Sequence, residues 1–215
     1  MSALLASDIL ILRLKGALTV ERLSVNNLGL KAGHLVWIFS IYNIGIGFFI
    51  EGFDAISQSI SEVALEAPFF AWSHRTANVL IGLSMCFFSF SLIRLHKGWL
   101  PFSTVVISLL GLSMISAGIW TLETPLHLLY NLSIFMILVP VFFAVEFKSQ
   151  FQSETFEKVC LLFSFIHVLV FWSIYANFIP YEYNGLIQRL WAVLTMGWFG
   201  LAAKTLTSSL AIEKH

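Results

Sequence analysis

From residue 34 onward the chain is a succession of long apolar runs broken by short polar ones. Six runs stand out, His34–Ile50, Ala77–Ile93, Phe102–Trp120, Pro125–Val145, Val159–Ile179 and Leu186–Ala203, and the breaks include HKGWLP, LETP, EFKSQFQSETFEK and PYEYNG. A helix needs about 20 apolar residues to cross a hydrocarbon core of ~30 Å, within a range of roughly 17–25. Each run therefore predicts one transmembrane helix. The last carries Arg189 near its start, where the long side chain can snorkel to the interface, and Trp191, Trp198, Tyr181 and Tyr183 are the rings expected at headgroup level. Ahead of the runs, MSALLASDILILRLKG has its charges after the apolar residues and no small-residue cleavage pattern. It reads as an amphipathic segment on the inner leaflet, with Arg13 and Lys15 near lipid phosphates, and not as a signal peptide.

Composition agrees with an integral membrane protein of the all-α class, a six-helix bundle: 58% of residues are hydrophobic, 11% are charged and the mean hydropathy is +0.86. Charge adds an orientation, because Lys and Arg near span ends stay in the cytoplasm. With the N-terminus inside, Arg13, Lys15, Arg22, Lys31, Arg94, Lys97, Lys148, Lys158, Lys204 and Lys214 fall on the inner side and only Arg75 and Arg189 on the outer. The predicted organisation is a cytoplasmic or interfacial segment (1–33), a six-helix transmembrane domain (34–203) and a cytoplasmic tail (204–215), in the bacterial inner membrane with both termini inside. By this topology Cys86 and Cys160 lie at different depths, and no disulfide is expected between them. Asn43, Tyr42, Asn131, His167 and Asn177 are the polar groups within spans, expected to face the bundle. Gly45, Gly47, Gly82, Gly111 and Gly118 are candidates for close helix approach. There is no basic patch for nucleic acid.

The same topology concentrates polarity on the outer side, with Glu51, Asp54, Glu62, Glu66, Glu123, Glu182, His74, Arg75 and His127. In the first outer loop, EGFDAISQSISEVALEAPFFAWSHR, Ser59 and Glu62 fit a capping box, and Ile56, Ile60, Val63, Ala64 and Ala67 recur at helical spacing up to Pro68. This predicts a short helix over the mouth of the bundle. At the corner SAGIWTLETPLHLLYN, Thr124 is a plausible N-cap, Pro125 the first helical residue, and His127 lies in the first turn. A helix N-terminus disfavours imidazolium, so His127 tends to the neutral form, able to ligate a metal or act as a base.

The stretches ISQSISEVALEAP, ANVLIGLSMCFFSFSL, GLSMISAGIW…ETPLH and NGLIQRLW together resemble domain-of-unknown-function family 998, small polytopic prokaryotic membrane proteins, over about residues 34–203. The resemblance puts Ser61-Glu62 at the family's Ser-Glu pair after the first span, His127 at its corner His and Arg189 at the Arg of the last span. The chain departs from the family pattern at Gly118-Ile119-Trp120-Thr121, and Glu123 stands about where an Asp is common. The family itself implies no particular activity.

Two function classes follow. One is an outward-facing acid/His/Arg cluster that binds a lipid headgroup, small molecule or divalent metal, up to a metal-dependent intramembrane hydrolase. Glu62 and His127 would be catalytic, Arg189, Asp54 and His74 would bind substrate, and Glu123 with His127 would hold the metal. The other is a non-catalytic transporter, lipid-binding or assembly protein. Haem ligation by His74/His127 or His34/His167 is a more distant reading. The bilayer and a lipid or small-molecule ligand are the expected partners. The first class requires Glu62, His127 and Arg189 to surround one outward-opening cavity, with Asp54, His74 and Glu123 on its rim.

Overall fold

The computed structural model describes residues 27–212 apart from Lys97. Arg13, Lys15, Lys214 and His215 lie outside the described residues, as does most of the expected interfacial segment. Among the described residues every regular element is a helix. The long ones are α1 (Asn27–Phe49), α2 (Pro68–Leu95), α3 (Phe102–Ile119), α5 (Glu154–Tyr175) and α6 (Asn184–Ile212). Between α3 and α5 runs a bent pair, α4, made of a 3-10 segment Pro125–Ile137 and an α-helix Val139–Glu146 that meet at 55°. Among the described residues five helices are thus long and apolar enough to cross a membrane, or six with the bent pair.

The bend has a local cause. Pro140 has no N–H to give to residue 136 and its ring crowds that carbonyl, so the apolar run cannot be one straight α-helix. Even so, α4 covers the same thickness as α3. It leaves the corner after Trp120, and at its far end Glu146 reaches the start of α3, accepting from Phe102 N–H at 2.6 Å and Ser103 N–H at 3.1 Å.

Several boundaries differ from the sequence reading. α1 is already helical at Asn27 and α6 continues to Ile212, beyond 203. α2 opens at Pro68, not at Ala77, because proline suits the first helical position and Phe69, Phe70 and Trp72 carry the apolar character back to it. His74 and Arg75 are therefore helical. α5 stops at Tyr175, and Asn177 takes φ 54°, a left-handed conformation that asparagine tolerates at a helix end. Asn177 is exposed in that turn, as are Asn131 and Tyr42, whereas Asn43 and His167 are buried.

Packing is uneven along the bundle. Towards the Glu146 end, Phe143 stacks on Phe147 at 4.7 Å, Trp198 meets Phe143 edge-on at 5.0 Å, and Phe88 meets Phe199 at 5.9 Å. Trp198 is fully buried there, inside the bundle, and its ring does not face the lipid. α2 and α3 approach closely at Gly82 and Gly111: a Cβ on Gly82 would stand 2.4 Å from Gly111 O. Gly45, by contrast, meets nothing within 4 Å. Ser89 Oγ donates to Thr104 O at 2.7 Å and accepts from Ser108 Oγ at 2.8 Å, joining the same pair. Both ends of α3 are satisfied by other elements, Glu146 at its N-terminus and Arg75 at its C-terminus, where Nε donates to Gly118 O at 2.9 Å and Nη2 to Ile119 O.

Candidate functional site

At the opposite end from the aromatic cluster the first loop folds into a roof. Asp54 starts it: Oδ1 accepts from Ile56 N–H at 3.0 Å, Oδ2 from the Ser57 hydroxyl at 2.7 Å, and its own N–H donates to Gln58 Oε1 at 2.7 Å. The Ser57 hydroxyl and then the Ile56 N–H hold the exposed Asp54 carboxyl below its ordinary range, with the Arg189 charge a smaller cause. Next, Ser59 begins a 3-10 helix, Ile60–Leu65, in which the predicted capping box is present and the Glu62 carboxylate accepts the Ser59 N–H. Val63 is its buried anchor.

The start of α6 holds this roof. Arg189 is only 3% exposed, and its Nη1 donates to Ala55 O and Gln58 O, each at 2.8 Å, and to Gly185 O at 3.0 Å. Phe48 and Phe53 flank its guanidinium at 5.6 and 5.8 Å. Leu186 N–H donates to Ile56 O at 2.8 Å, and Gln188 Oε1 accepts from Ile60 N–H. Gly185 is needed for this contact, because a Cβ there would lie 2.1 Å from Gln58 O and 2.8 Å from Ala55 O.

Beneath the roof lies a cavity of about 120 Å³. Ile60 and Ser61 cap it, and Gln188, Trp191, Ala192, Thr195 and Met196 form one wall, a single face of α6. That face runs ~12 Å along the helix at 1.5 Å per residue. Leu110, Met114 and Ala117 from α3, His74 and Asn78 from α2, and Ser133 from α4 complete it. Polar atoms behind the walls are linked. Asn43 Nδ2 donates to Asn78 Oδ1 at 2.7 Å, and Asn78 Nδ2 lies 3.1 Å from His74 Nε2. Across the cavity, His167 Nδ1 bonds Phe163 O at 2.7 Å and its Nε2 lies 3.1 Å from Thr195 Oγ1.

The structure groups the sequence-derived candidates in two places. Asp54, Glu62 and Arg189 meet in the roof, where both carboxylates act on the Arg189 charge. His74 and His127 lie within electrostatic reach of each other below it. His127 is buried, and its Nδ1 bonds the carbonyl of Trp120 at 3.1 Å, so that nitrogen carries the proton. Thr124 and Pro125 do occupy N-cap and first position, but of a 3-10 segment. Glu123 is exposed beside them. The cavity walls come from Ser61 and Gln188, next in sequence to Glu62 and Arg189, and from His74. Among the described residues, no group of three His, Cys, Asp or Glu is placed to hold a metal ion. Asn78, Gly185, Gln188 and Thr195 escaped the sequence reading. The spacing of Gln188, Trp191, Ala192 and Thr195, one helical face bearing small and polar residues inside an apolar run, was the signal that marks them.

A bundle of long apolar helices around a mainly apolar cavity with a few buried polar groups defines a multi-pass, all-α membrane protein. Residues 32–205 match the family model described as protein of unknown function (DUF998), and the chain belongs to that family. Neither a curated protein nor a solved structure matches it.

Proposed function

We propose that this is a ligand-binding membrane protein without catalytic chemistry, which holds a small amphiphile in the cavity under the roof. One observation carries the reading: a cavity of about 120 Å³ has mainly apolar walls that, among the described residues, bear only neutral polar side chains and His74. His74 then contacts ligand, as the sequence suggested, while Asp54 and Arg189 serve binding by holding the roof over it. The sidedness follows the cationic residues, with the roof outside and both termini in the cytoplasm of a bacterial inner membrane. A metal-dependent hydrolase using Glu62, His127 and Glu123 has less support. Glu62 is engaged at Ser59, His127 at Trp120, and Glu123 is exposed.

The test uses ethylbenzene as an apolar probe on purified protein in detergent. It is expected to raise the thermal midpoint of the wild type and leave that of Ala192→Phe, whose added ring fills the cavity, unchanged. No stabilisation of the wild type at saturating probe overturns the reading.

A further inference from the structure

We infer that the cavity is selective for a neutral, ring-sized apolar group carrying one hydrogen-bond-accepting oxygen, received by His74. This rests on the reading of the cavity as a binding site and adds the chemistry of what it takes.

The proton on His74 can be placed. Asn78 Oδ1 is already the acceptor for Asn43 Nδ2, so the group Asn78 turns to His74 Nε2 is its amide donor. Nε2 therefore accepts, and in the neutral ring the N–H is on Nδ1. His74 is 2% exposed, lines the cavity, and its Nδ1 has no hydrogen-bond partner. A buried N–H without a partner is costly, and an acceptor oxygen on a bound molecule removes that cost. The imidazole within electrostatic reach, His127, uses its own Nδ1–H on Trp120 O.

Charge and size narrow the class further. Among the described residues no Asp, Glu, Lys or Arg lines the cavity, so an ionic group entering it would lose its hydration without a counter-charge there. The Thr195 hydroxyl faces the acceptor nitrogen of His167 and so offers a ligand only oxygen lone pairs, while the Gln188 amide and the Trp191 indole on the same wall are neutral donors. An apolar cavity of about 150 Å³ takes up one benzene ring. The cavity here, about 120 Å³, therefore suits one small ring or a comparable length of chain, not a whole lipid. The oxygen can belong to a free carbonyl compound or to the ester carbonyl of a neutral lipid that inserts only its end.

The experiment titrates the wild-type protein in detergent at neutral pH with ethylbenzene, acetophenone and benzoate. Acetophenone should bind about three- to tenfold more tightly than ethylbenzene, the advantage of one buried hydrogen bond. Benzoate should not bind measurably. In His74→Phe the advantage of acetophenone should vanish while ethylbenzene still binds. Equal affinities for acetophenone and ethylbenzene in the wild type, or preferred binding of benzoate, overturn this ligand class and leave the cavity as an apolar or anionic site. Failure of all three probes overturns the cavity reading as well. These comparisons are made on the wild type and do not depend on a variant folding. Monoacylglycerol added to the acetophenone complex separates the two sources: displacement assigns a lipid ester, and undisturbed binding assigns a free small molecule.

Discussion

Arg189 and Gly185 act as one device, and the two residues succeed for opposite reasons. Arg189 gives three hydrogen bonds from a single nitrogen to backbone carbonyls, while Gly185 offers no side chain so that two of those carbonyls can settle on its Cα. Replacing Gly185 with Ala puts a methyl against backbone oxygens that cannot rotate away, an overpacking expected to cost about 1–3 kcal/mol. Unfolding by denaturant in mixed micelles measures it, and a neutral result would mean the roof does not rest on α6. Arg189→Leu is expected to cost at least as much, because Ala55 and Gln58 carbonyls lose their donor at about 1–3 kcal/mol each. Asp54 adds a pH dependence of known sign. Its carboxyl is held below the ordinary range, so its contribution is present above about pH 3.9 and disappears as pH falls through the lowered folded value. The thermal midpoint of wild type minus that of Asp54→Asn should be positive at neutral pH and shrink towards zero in acid.

Among the elements, α3 shows how helix ends are satisfied by side chains of neighbouring helices. Glu146 takes the first N–H groups and Arg75 the last carbonyls, each side chain coming from a different helix. Glu146→Ala should cost about 1–2 kcal/mol, as for a lost N-cap, and Glu146→Gln less, because the amide oxygen still accepts. Equal stability of all three proteins would show that solvent or lipid headgroups replace the cap. The Glu146 contact was not legible in the sequence, since it joins the end of α4 to the start of α3 with no local pattern to mark it. The helices themselves were legible, because apolar length is set by bilayer thickness. So was the Ser59–Glu62 capping box, whose partners are three residues apart. Pro68 and Pro140 show the limit of that reading. Each falls near an apolar segment, and whether proline starts a helix, ends one or bends one depends on which neighbours pack behind it. The roof over the cavity was anticipated as a short helix, whereas the cavity wall on α6 was hidden among apolar residues that a span requires in any case.

For the whole molecule, sidedness and the number of crossings are one question, and α4 decides it. If the bent pair crosses, the chain passes six times and both termini share a side; if it turns back, five passes separate them. Packing favours a crossing, because Glu146 at the end of α4 meets the start of α3, and the Ser209 hydroxyl of α6 donates to Phe151 O at 3.1 Å near that same end. The proposed sidedness puts that end, with Lys31, Arg94, Lys148, Lys158 and Lys204, in the cytoplasm, as the preference of positive charge for the inner side predicts. On the roof side Arg75 and Arg189 are tied to backbone carbonyls. Reporter fusions after Lys148 and after Ile212 are expected to read cytoplasmic, and one after Glu123 outside. A fusion after Ile212 that reads outside, with the one after Glu123 unchanged, would make α4 a re-entrant loop and put Lys148, Lys158 and Lys204 against the direction that positive charge prefers. A cysteine placed at the exposed Glu51 resolves the remaining case: labelling by a membrane-impermeant maleimide in intact cells puts the roof outside, and labelling only after lysis inverts the molecule and gives the cavity a cytoplasmic roof.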